Sequence, residues 1–324
     1  MESILVTGGA GFIGSNITER LLSCGYRVVV LDDLSTGRMG NIEESLKNNN
    51  FIFYKGSILN SKLLQTIIKK YNISLISHQA AIPSVEKSIR EPVKTIKANI
   101  VGTINLFNIA AGCGCKRIVF ASSSSVYGDT PQLPKEETMS LHPKSPYAVS
   151  KVAKEIFARV FSDLYGIEIV GLRYFNVYGR RQDPASEYAA VVPKFIKMAL
   201  RNQAIPIEGD GLQTRDFTYI DDVIQVNLKA LTQENILSTI FNIGYGERIS
   251  ILDLAKMILE ITRSSSEINY KPPRNGDVRD SLADIESARK YLGYIPEFNI
   301  KEGLKETVAW FIRRNFKAVK KIIH

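Results

Sequence analysis

Short apolar runs alternate with longer segments of helical spacing through the first half of the chain. The runs are rich in β-branched residues and predict strands at residues 4–6, 28–31, 51–54, 73–76, 118–120 and 167–172. Between them, segments such as residues 13–24 and 63–70 have the apolar period of helices. Continuous apolar strands are typical of strands buried on both faces. The order therefore predicts an α/β protein with a doubly wound parallel sheet.

The pattern loosens beyond about residue 176. A helix at residues 191–201, a strand at 240–243 and a helical tail from residue 300 are still predicted there. A chain of 324 residues usually divides into two units. We expect a first domain over residues 1–175, to which a segment at about 217–243 returns. A smaller, mainly C-terminal α/β domain would then comprise residues 176–324.

Composition narrows the class of protein. Hydrophobic residues make up 44% of the chain and charged residues 23%, which is typical of a globular protein and excludes a disordered one. The formal net charge of +9 raises the question of nucleic acid, but the charges are scattered. They cluster only within residues 313–321, where helical spacing favours a solvated helix face over a nucleic-acid or membrane patch. We expect no nucleic-acid partner, and a nucleic-acid binder remains a minor alternative.

The cysteines and the lengths of the apolar stretches indicate in which cellular compartment the protein is expected. Cys24, Cys113 and Cys115 cannot all pair, and no second Cys/His pair completes a zinc site with the last two. We therefore expect no metal and a reduced, cytoplasmic compartment. No apolar stretch of about 20 residues is present, so we expect no membrane association.

A glycine-rich loop at residues 7–14 ends the first predicted strand and begins the first helix. Glycines three apart permit a tight turn and bring helix N-terminal amides close to a pyrophosphate. About 20 residues later, Asp32 ends the second strand, where a carboxylate accepts the adenosine ribose hydroxyls. This context predicts a Rossmann-like dinucleotide site. Asp32 and Asp33 would repel a 2′-phosphate and favour NAD over NADP, while the nearby Arg38 leaves NADP open.

A second pair of motifs indicates proton transfer. Tyr147 and Lys151 are four residues apart behind Pro146, so the phenol and the ammonium share one helical face. The cation is expected to lower the phenol pKa from about 10 towards the working pH, which would make it a general base. The serines at residues 122–125 directly follow a predicted strand, at the sheet edge where ligands of open α/β sheets bind.

Taken in order, these motifs resemble the extended short-chain dehydrogenase/reductase superfamily, and within it the nucleotide-sugar 4-epimerases of the UDP-galactose 4-epimerase type. The resemblance covers nearly the whole chain. Besides the motifs above, it includes residues 78–81, Asn99, and the segments 173–176, 209–217 and 274–277.

The resemblance implies an NAD-dependent isomerase acting on a UDP-sugar. Ser123 would hydrogen-bond the sugar 4-hydroxyl, Tyr147 would take its proton, and Lys151 would hold the nicotinamide ribose. The C4 hydride would pass to NAD and return to the other face of the 4-ketose. The positions that the resemblance assigns to NAD are Gly8, Gly11, Phe12, Ile13, Gly14, Asp32, Asp33, Thr36, Gly37, Ser57, Ile58, Gln79, Ala80, Ala81, Asn99, Ser122, Tyr147, Lys151 and Tyr174. At Ser57 the family usually has an aspartate, so the adenine contact would be uncharged.

Substrate residues are implied in the same way. Asn176, Arg215 and Arg274 match diphosphate-binding positions, for which guanidinium groups are suited, and Asp277 matches a carboxylate on a ribose hydroxyl. Ser123 and Tyr147 complete this set together with two serines that concern the sugar, Ser84 and Ser281.

The choice of sugar is a separate question. The segments 177–184 and 188–195 and Ser84 resemble the branch acting on UDP-N-acetylglucosamine and UDP-N-acetylgalactosamine. Ser281 stands where epimerases restricted to plain hexoses have a tyrosine, and a small residue leaves room for an acetamido group. We expect the acetylated sugars to be preferred. Turnover of both sugar classes remains open.

Several alternatives remain. A 4,6-dehydratase or a UDP-glucuronate decarboxylase would be expected to have a glutamate at Ser124 or Ser125, where serine has no useful titration, and both are disfavoured. A UDP-glucuronate epimerase is a further alternative. A non-catalytic NAD-sensing scaffold is the alternative from another class. Relatives often pair through two helices each, so a homodimer through residues 93–111 and 148–165 is expected by analogy.

Overall fold

A seven-stranded parallel sheet is the centre of the protein. The computed structural model describes residues 1–184, 190–234, 236, 239–273 and 278–322, with side chains through residue 314. Its strands are β1 (Ser3–Thr7), β2 (Arg27–Asp32), β3 (Phe51–Lys55), β4 (Leu75–His78), β5 (Arg117–Ser123), β6 (Glu168–Tyr174) and β9 (Ile240–Ile243). The sheet has the order β3-β2-β1-β4-β5-β6-β9.

Helices cover both faces of this sheet and complete the smaller lobe beside it. They are α1 (Phe12–Ser23), α2 (Ser61–Lys70), α3 (Val85–Arg90), α4 (Pro92–Ile96), α5 (Gly102–Gly112), α6 (Pro146–Tyr165), α7 (Val191–Ala199), α8 (Ile220–Thr232), α9 (Ile251–Thr262), α10 (Glu286–Leu292) and α11 (Ile300–Ile322). Apolar residues of α1 and α8 are part of the core on one face, and those of α2, α5 and α6 are part of the core on the other. The predicted α/β class and doubly wound parallel sheet are confirmed.

The alternation of side chains along β1 shows why its run is continuously apolar. Ile4 and Val6 pack into one core and Leu5 packs into the other, and all three are fully buried. Successive strand residues face opposite sides, so a strand covered on both faces has no polar side to expose.

A smaller lobe is built on two short sheets beside the main one. Strands β7 (Ile205–Glu208) and β11 (Ile268–Lys271) pair in parallel, and β8 (Thr214–Arg215) pairs antiparallel with β10 (Ile249–Ser250). Helices α7 and α9 pack on each other beside them. Its core is continuous with that of the α1 and α8 face of the main sheet, because both sets of residues form one cluster.

Some element boundaries differ from the sequence predictions. The fourth strand starts at Leu75 instead of residue 73, because Asn72 has a left-handed φ of 48° and the Ile73 amide still bonds the carbonyl of Ile68 in α2. The segment 93–111 is two helices, α4 and α5, joined by a π-helical turn at Lys97–Val101. The predicted strand at 240–243 is β9, and the helical tail is α11.

The strand order reverses between β1 and β4. In open parallel sheets the crevice at such a point, outside the carboxyl ends of the strands, is the ligand site. Thr7, His78 and Ser123 end β1, β4 and β5 at this edge. Over the described ranges, no helix has both the length and the apolar character needed to cross a membrane.

Candidate active site

One cleft of about 1510 Å³ occupies this edge of the sheet. It is lined by the loops after β1, β2, β4, β5 and β6 and by residues of the smaller lobe. Of the positions assigned to NAD, the structure brings into the cleft Gly8, Gly11, Phe12, Ile13, Gly14, Asp32, Asp33, Thr36, Gly37, Ser57, Ile58, Gln79, Ala80, Ala81, Ser122, Tyr147, Lys151 and Tyr174.

The glycine-rich loop is tightly packed against its own backbone. Gly8 has a φ of 71°, and a Cβ there would be 2.6 Å from the amide nitrogen of Ala80. A Cβ on Gly14 would be 2.2 Å from the carbonyl oxygen of Gly8. Helix α1 begins behind Gly11, which has no side chain to cap the first amides. The loop therefore forms a cradle with the uncapped N-terminal amides of α1 and the positive end of its helix dipole, which fits the pyrophosphate of NAD.

Asp32 is fixed at the end of β2. Its two carboxylate oxygens accept hydrogen bonds from the amides of Ala10 (2.9 Å) and Leu34 (2.8 Å). Burial raises the pKa of Asp32, and these two amides partly oppose the rise. A Cβ on Gly37 would be 2.7 Å from the same carboxylate. The lone pairs that remain face the cleft, where they are suited to ribose hydroxyls.

Ser123, Tyr147 and Lys151 converge in the same cleft. Ser123 ends β5, while Ser145 caps α6 by accepting the amide of Ala148 at 3.1 Å. With Pro146 in the first turn, this cap starts the helix that presents the tyrosine and the lysine one turn apart. The Lys151 ammonium lies 5.3 Å from the centre of the Tyr147 ring.

The electrostatics of Tyr147 differ from the sequence expectation. Burial raises the pKa of Tyr147, and the hydrogen bond to Ser123 opposes the rise only in part. Lys151 does not lower the phenol pKa here, because its Nζ donates to the carbonyl of Ala121 at 2.8 Å and faces the ring instead of the hydroxyl. Burial in turn lowers the pKa of Lys151 to about 8, against the opposing charge of Glu155.

A buried ion pair lies beneath these residues. Glu155 accepts two hydrogen bonds from the guanidinium of Arg173, at 2.9 and 2.7 Å, and a third from the Ser122 hydroxyl at 2.5 Å. Both charged side chains are almost completely buried. Sequence reasoning missed Glu155, although its spacing of four residues from Lys151 was a usable signal.

A second buried cluster is centred on His78. Its Nδ1 is 2.7 Å from the Thr7 hydroxyl, and its Nε2 is 2.9 Å from the Thr103 hydroxyl and 3.5 Å from Nζ of Lys154. The Thr103 hydroxyl already donates to the carbonyl of Asn99, so Nε2 carries the ring proton. Burial, reinforced by the charge of Lys151, holds the pKa of Lys154 well below its usual value.

Four of the substrate positions line the same cleft as Ser123. Ser84, Asn176, Arg215 and Ser281 all line it, whereas Arg274 and Asp277 lie outside the described residues. Ser84 also caps α3, and the Nδ2 of Asn176 donates to the carbonyl of Asp216 at 2.8 Å.

Asn99 is the exception among the cofactor assignments. It is fully buried outside the cleft, where its side chain bonds both backbone groups of Ile82 and the Ser150 hydroxyl. The structure thus places Asn99 as a brace of the loop after β4. Its amide is used internally because two of its partners are backbone groups that would otherwise be buried without partners.

Asp216 organises the smaller lobe around the cleft. Its carboxylate accepts the amides of Tyr245 (2.8 Å), Gly246 (3.1 Å) and Ala283 (3.1 Å). Burial raises the pKa of Asp216 to about 6 despite these bonds. The sequence marked this residue only as part of a motif, because its three partners are backbone groups far away along the chain.

Within the described part of the chain, no group of three acidic, histidine or cysteine side chains could hold a metal ion.

Comparison with known proteins points to one family. Residues 4–244 match the model of the NAD dependent epimerase/dehydratase family. A UDP-glucose 4-epimerase from Thermotoga maritima, solved with UDP-glucose, is 40% identical with a TM-score of 0.92, covering 97% of this chain and 99% of that one. A UDP-N-acetylglucosamine 4-epimerase from Methanobrevibacter ruminantium, in complex with UDP-N-acetylmuramic acid, is 36% identical with the same TM-score and coverage.

A third structure carries the cofactor. The UDP-glucuronic acid 4-epimerase from Bacillus cereus, solved with UDP-glucuronic acid and NAD, is 35% identical with a TM-score of 0.89, covering 96% of this chain and 99% of that one. The predicted membership, the enzyme class and the NAD cofactor are thereby confirmed. This chain belongs to the NAD-dependent epimerase/dehydratase family of UDP-sugar epimerases.

Proposed function

We propose that the protein catalyses the reversible 4-epimerisation of a UDP-hexose, with UDP-N-acetylglucosamine and UDP-N-acetylgalactosamine as the preferred pair. One observation carries the proposal: Ser123, Tyr147 and Lys151 line the same cleft as the glycine-rich loop. A dinucleotide on that loop and a sugar near Ser123 would share one enclosed space, as hydride transfer requires.

The cleft residues divide the work of holding the cofactor. The loop at residues 8–14 would bind the pyrophosphate, Asp32 the adenosine ribose, and Lys151 the nicotinamide ribose. Bound NAD supplies the hydride acceptor. Ser122 and Tyr174 line the same cleft, where they would enclose the nicotinamide.

Proton transfer is assigned to Tyr147. Ser123 would hydrogen-bond the sugar 4-hydroxyl and align it towards the phenolate, which takes the hydroxyl proton as the C4 hydrogen leaves with its electron pair. The product of this half-reaction is a 4-ketose. Return of the hydride to the opposite face of C4, and of the proton from Tyr147 to the oxygen, gives the epimer. Because Tyr147 is buried with a raised pKa, ionisation of its phenol requires positive charge close to the hydroxyl, so the Lys151 ammonium would have to turn from the Ala121 carbonyl towards the phenol oxygen.

The nucleotide end of the substrate would be held by the smaller lobe. Asn176 and Arg215, with Arg274, are assigned to the diphosphate, and Asp277 to a ribose hydroxyl. A firm hold there keeps the 4-ketose in the site while the sugar turns. Ser84 and the small Ser281 would admit an acetamido group. A UDP-glucuronate epimerase is the second candidate, because the Bacillus cereus enzyme covers nearly the whole chain at 35% identity.

We extend the proposal to the domain boundaries, the oligomeric state and the cellular compartment. Residues 1–175, with the segment 217–243, would form the NAD-binding domain, and residues 176–324 the UDP-sugar domain. We propose a homodimer formed through α4, α5 and α6, which is supported by exposed apolar side chains on adjacent helices, among them Val93, Val101, Ile156 and Leu164. The free thiols of the three cysteines support a reduced, cytoplasmic setting.

Proton NMR of the anomeric signals provides the direct test. The full chain is incubated with UDP-N-acetylglucosamine, UDP-glucose or UDP-glucuronate, with NAD added. We expect the 4-epimer to form from each substrate that is accepted, fastest from the acetylated one. Tyr147→Phe should lower turnover by at least about a hundredfold while the UDP-sugar still binds. Faster turnover of glucuronate would transfer the assignment to the second candidate. An unaffected Tyr147→Phe variant would refute the proton-transfer role.

A further inference from the structure

We propose that Asp183 makes the cleft selective for NAD by holding Arg38 away from the position of a 2′-phosphate. Arg38 and Asp183 are 145 residues apart in the chain and form an ion pair. Both residues line the cleft. The inference rests on the assignment of Asp32 to the adenosine ribose made above. It adds a residue from the segment after β6 to the choice of cofactor.

The backbone position of Arg38 would allow its side chain to bind a 2′-phosphate. It follows Gly37, where a Cβ would be 2.7 Å from the Asp32 carboxylate, and its amide donates to the carbonyl of Ala10 at 2.9 Å. Its backbone is therefore fixed beside the ribose position, while half of its side chain remains exposed. An arginine at this place is the usual partner of an NADP 2′-phosphate.

Asp183 lies on a segment that is fastened to α1. The Arg181 guanidinium pairs with Glu19 at 2.9 Å and donates to the carbonyl of Ser15 at 3.0 Å. Asn16 donates to the carbonyl of Arg180 at 3.2 Å. These bonds hold the segment in place, so the Asp183 carboxylate occupies a defined position across the cleft from Arg38.

The pairing has opposite consequences for the two dinucleotides. NAD presents two ribose hydroxyls, which Asp32 accepts without help from a cation. NADP presents a phosphate close to Asp32 and Asp33, so it needs a neighbouring cation to offset their repulsion. Because Arg38 is already neutralised by Asp183, its charge is not available for that purpose. Loss of the Asp183 charge should release it.

Binding measurements on the full chain, freed of nucleotide, test the inference. Isothermal titration calorimetry gives Kd for NAD and NADP in the wild type, Asp183→Asn, Arg38→Met and the double variant. We expect Asp183→Asn to tighten NADP binding about three- to fivefold, the upper scale of one exposed ion pair, and to change NAD binding less than about twofold. The double variant should lose the gain for NADP.

Asp221→Asn is the matched control. It breaks the ion pair (2.6 Å) between Asp221 of α8 and Arg180, which is on the same segment as Asp183, without releasing a charge beside Asp32. Its ratio of the two Kd values should equal that of the wild type. An unchanged ratio in Asp183→Asn, or equal weakening of both nucleotides, would overturn the inference. Should Asp183→Asn fail to fold, Arg38→Met decides: weaker NADP binding in this single variant would mean that Arg38 already serves the phosphate. A wild type that binds neither dinucleotide would instead refute the cofactor assignments themselves.

Discussion

Glu155 and Arg173 form a two-pronged ion pair beneath the cleft, with nitrogen to oxygen distances of 2.9 and 2.7 Å. Glu155 also lies one helical turn from Lys151, where its charge raises the pKa that burial lowers to about 8. One carboxylate therefore serves both the stability of the sheet edge and the protonation of the proposed ribose ligand.

Replacing Glu155 by Gln should change both the free energy of unfolding and the pH dependence of the reaction. Removing one partner of a buried pair leaves Arg173 uncompensated, so the free energy of unfolding should fall by about 3–5 kcal/mol. Lys151 is charged below its pKa, so kcat/KM should decline above a pH of about 8, and the decline should begin at lower pH in the variant. A pH series of the initial rate measures the shift. Ser122→Ala removes a hydrogen bond to Glu155 but no charge, and its alkaline limb should not move.

The cradle for the pyrophosphate should be intolerant of one methyl group. In Gly14→Ala the new Cβ would meet the Gly8 carbonyl at 2.2 Å, so the loop must move, and NAD binding should weaken at least about tenfold. Gly112→Ala, where a Cβ meets no atom within 4 Å, is the control and should bind NAD like the wild type. Calorimetric titration compares the two. Equal affinities would show that the loop does not hold the nucleotide.

Lys154 should reduce stability at neutral pH. Its pKa in the folded protein is well below the ordinary value, so between the folded and the unfolded pKa the unfolded chain binds the additional proton, and stability rises with pH up to the unfolded pKa of about 10.4. Lys154→Met should raise the free energy of unfolding at pH 7 by at least about 1 kcal/mol and flatten this slope. Urea unfolding between pH 6 and 9 measures both. Lys301→Met, which removes an exposed pair with Glu260, should change neither by more than about 0.5 kcal/mol.

The proposed dimer should depend on the apolar face of α6. Ile156 is 60% exposed on this helix, and a carboxylate there would be buried without a partner between two copies. Ile156→Asp should convert the dimer to a monomer of 36.2 kDa, as read by light scattering on a size-exclusion column. Ile295→Asp alters an equally exposed side chain after α10 and should leave the mass unchanged. A wild type that is already monomeric would contradict the proposal.

The local features of this protein were readable from its sequence. The continuous apolar strands predicted the parallel sheet, and the spacing of Gly8, Gly11 and Gly14 before a helix predicted the loop that lies under the cleft. Tyr147 and Lys151 were found by their spacing on one helix. Each of these signals is local, because strand burial, loop geometry and helical periodicity are expressed within a few residues of chain.

Tertiary structure decided what depends on distant partners. The pairing of Arg38 with Asp183 spans 145 residues, and no pattern along the chain predicts it. Asn99 matched a cofactor motif, yet packing placed it outside the cleft as a brace for Ile82. The pKa of Tyr147 was expected to fall and instead rises, because the cost of burial depends on everything that surrounds the phenol.

Sequence patterns therefore predicted the fold class, the family and a set of candidate site residues, most of which line the cleft. Which of those side chains bear charge, which are already engaged by a partner, and which merely support the loops were decided by the tertiary structure. The physical reason is that burial and long-range pairing are properties of the packed chain, whereas the periodicity and spacing of residues are properties of the sequence.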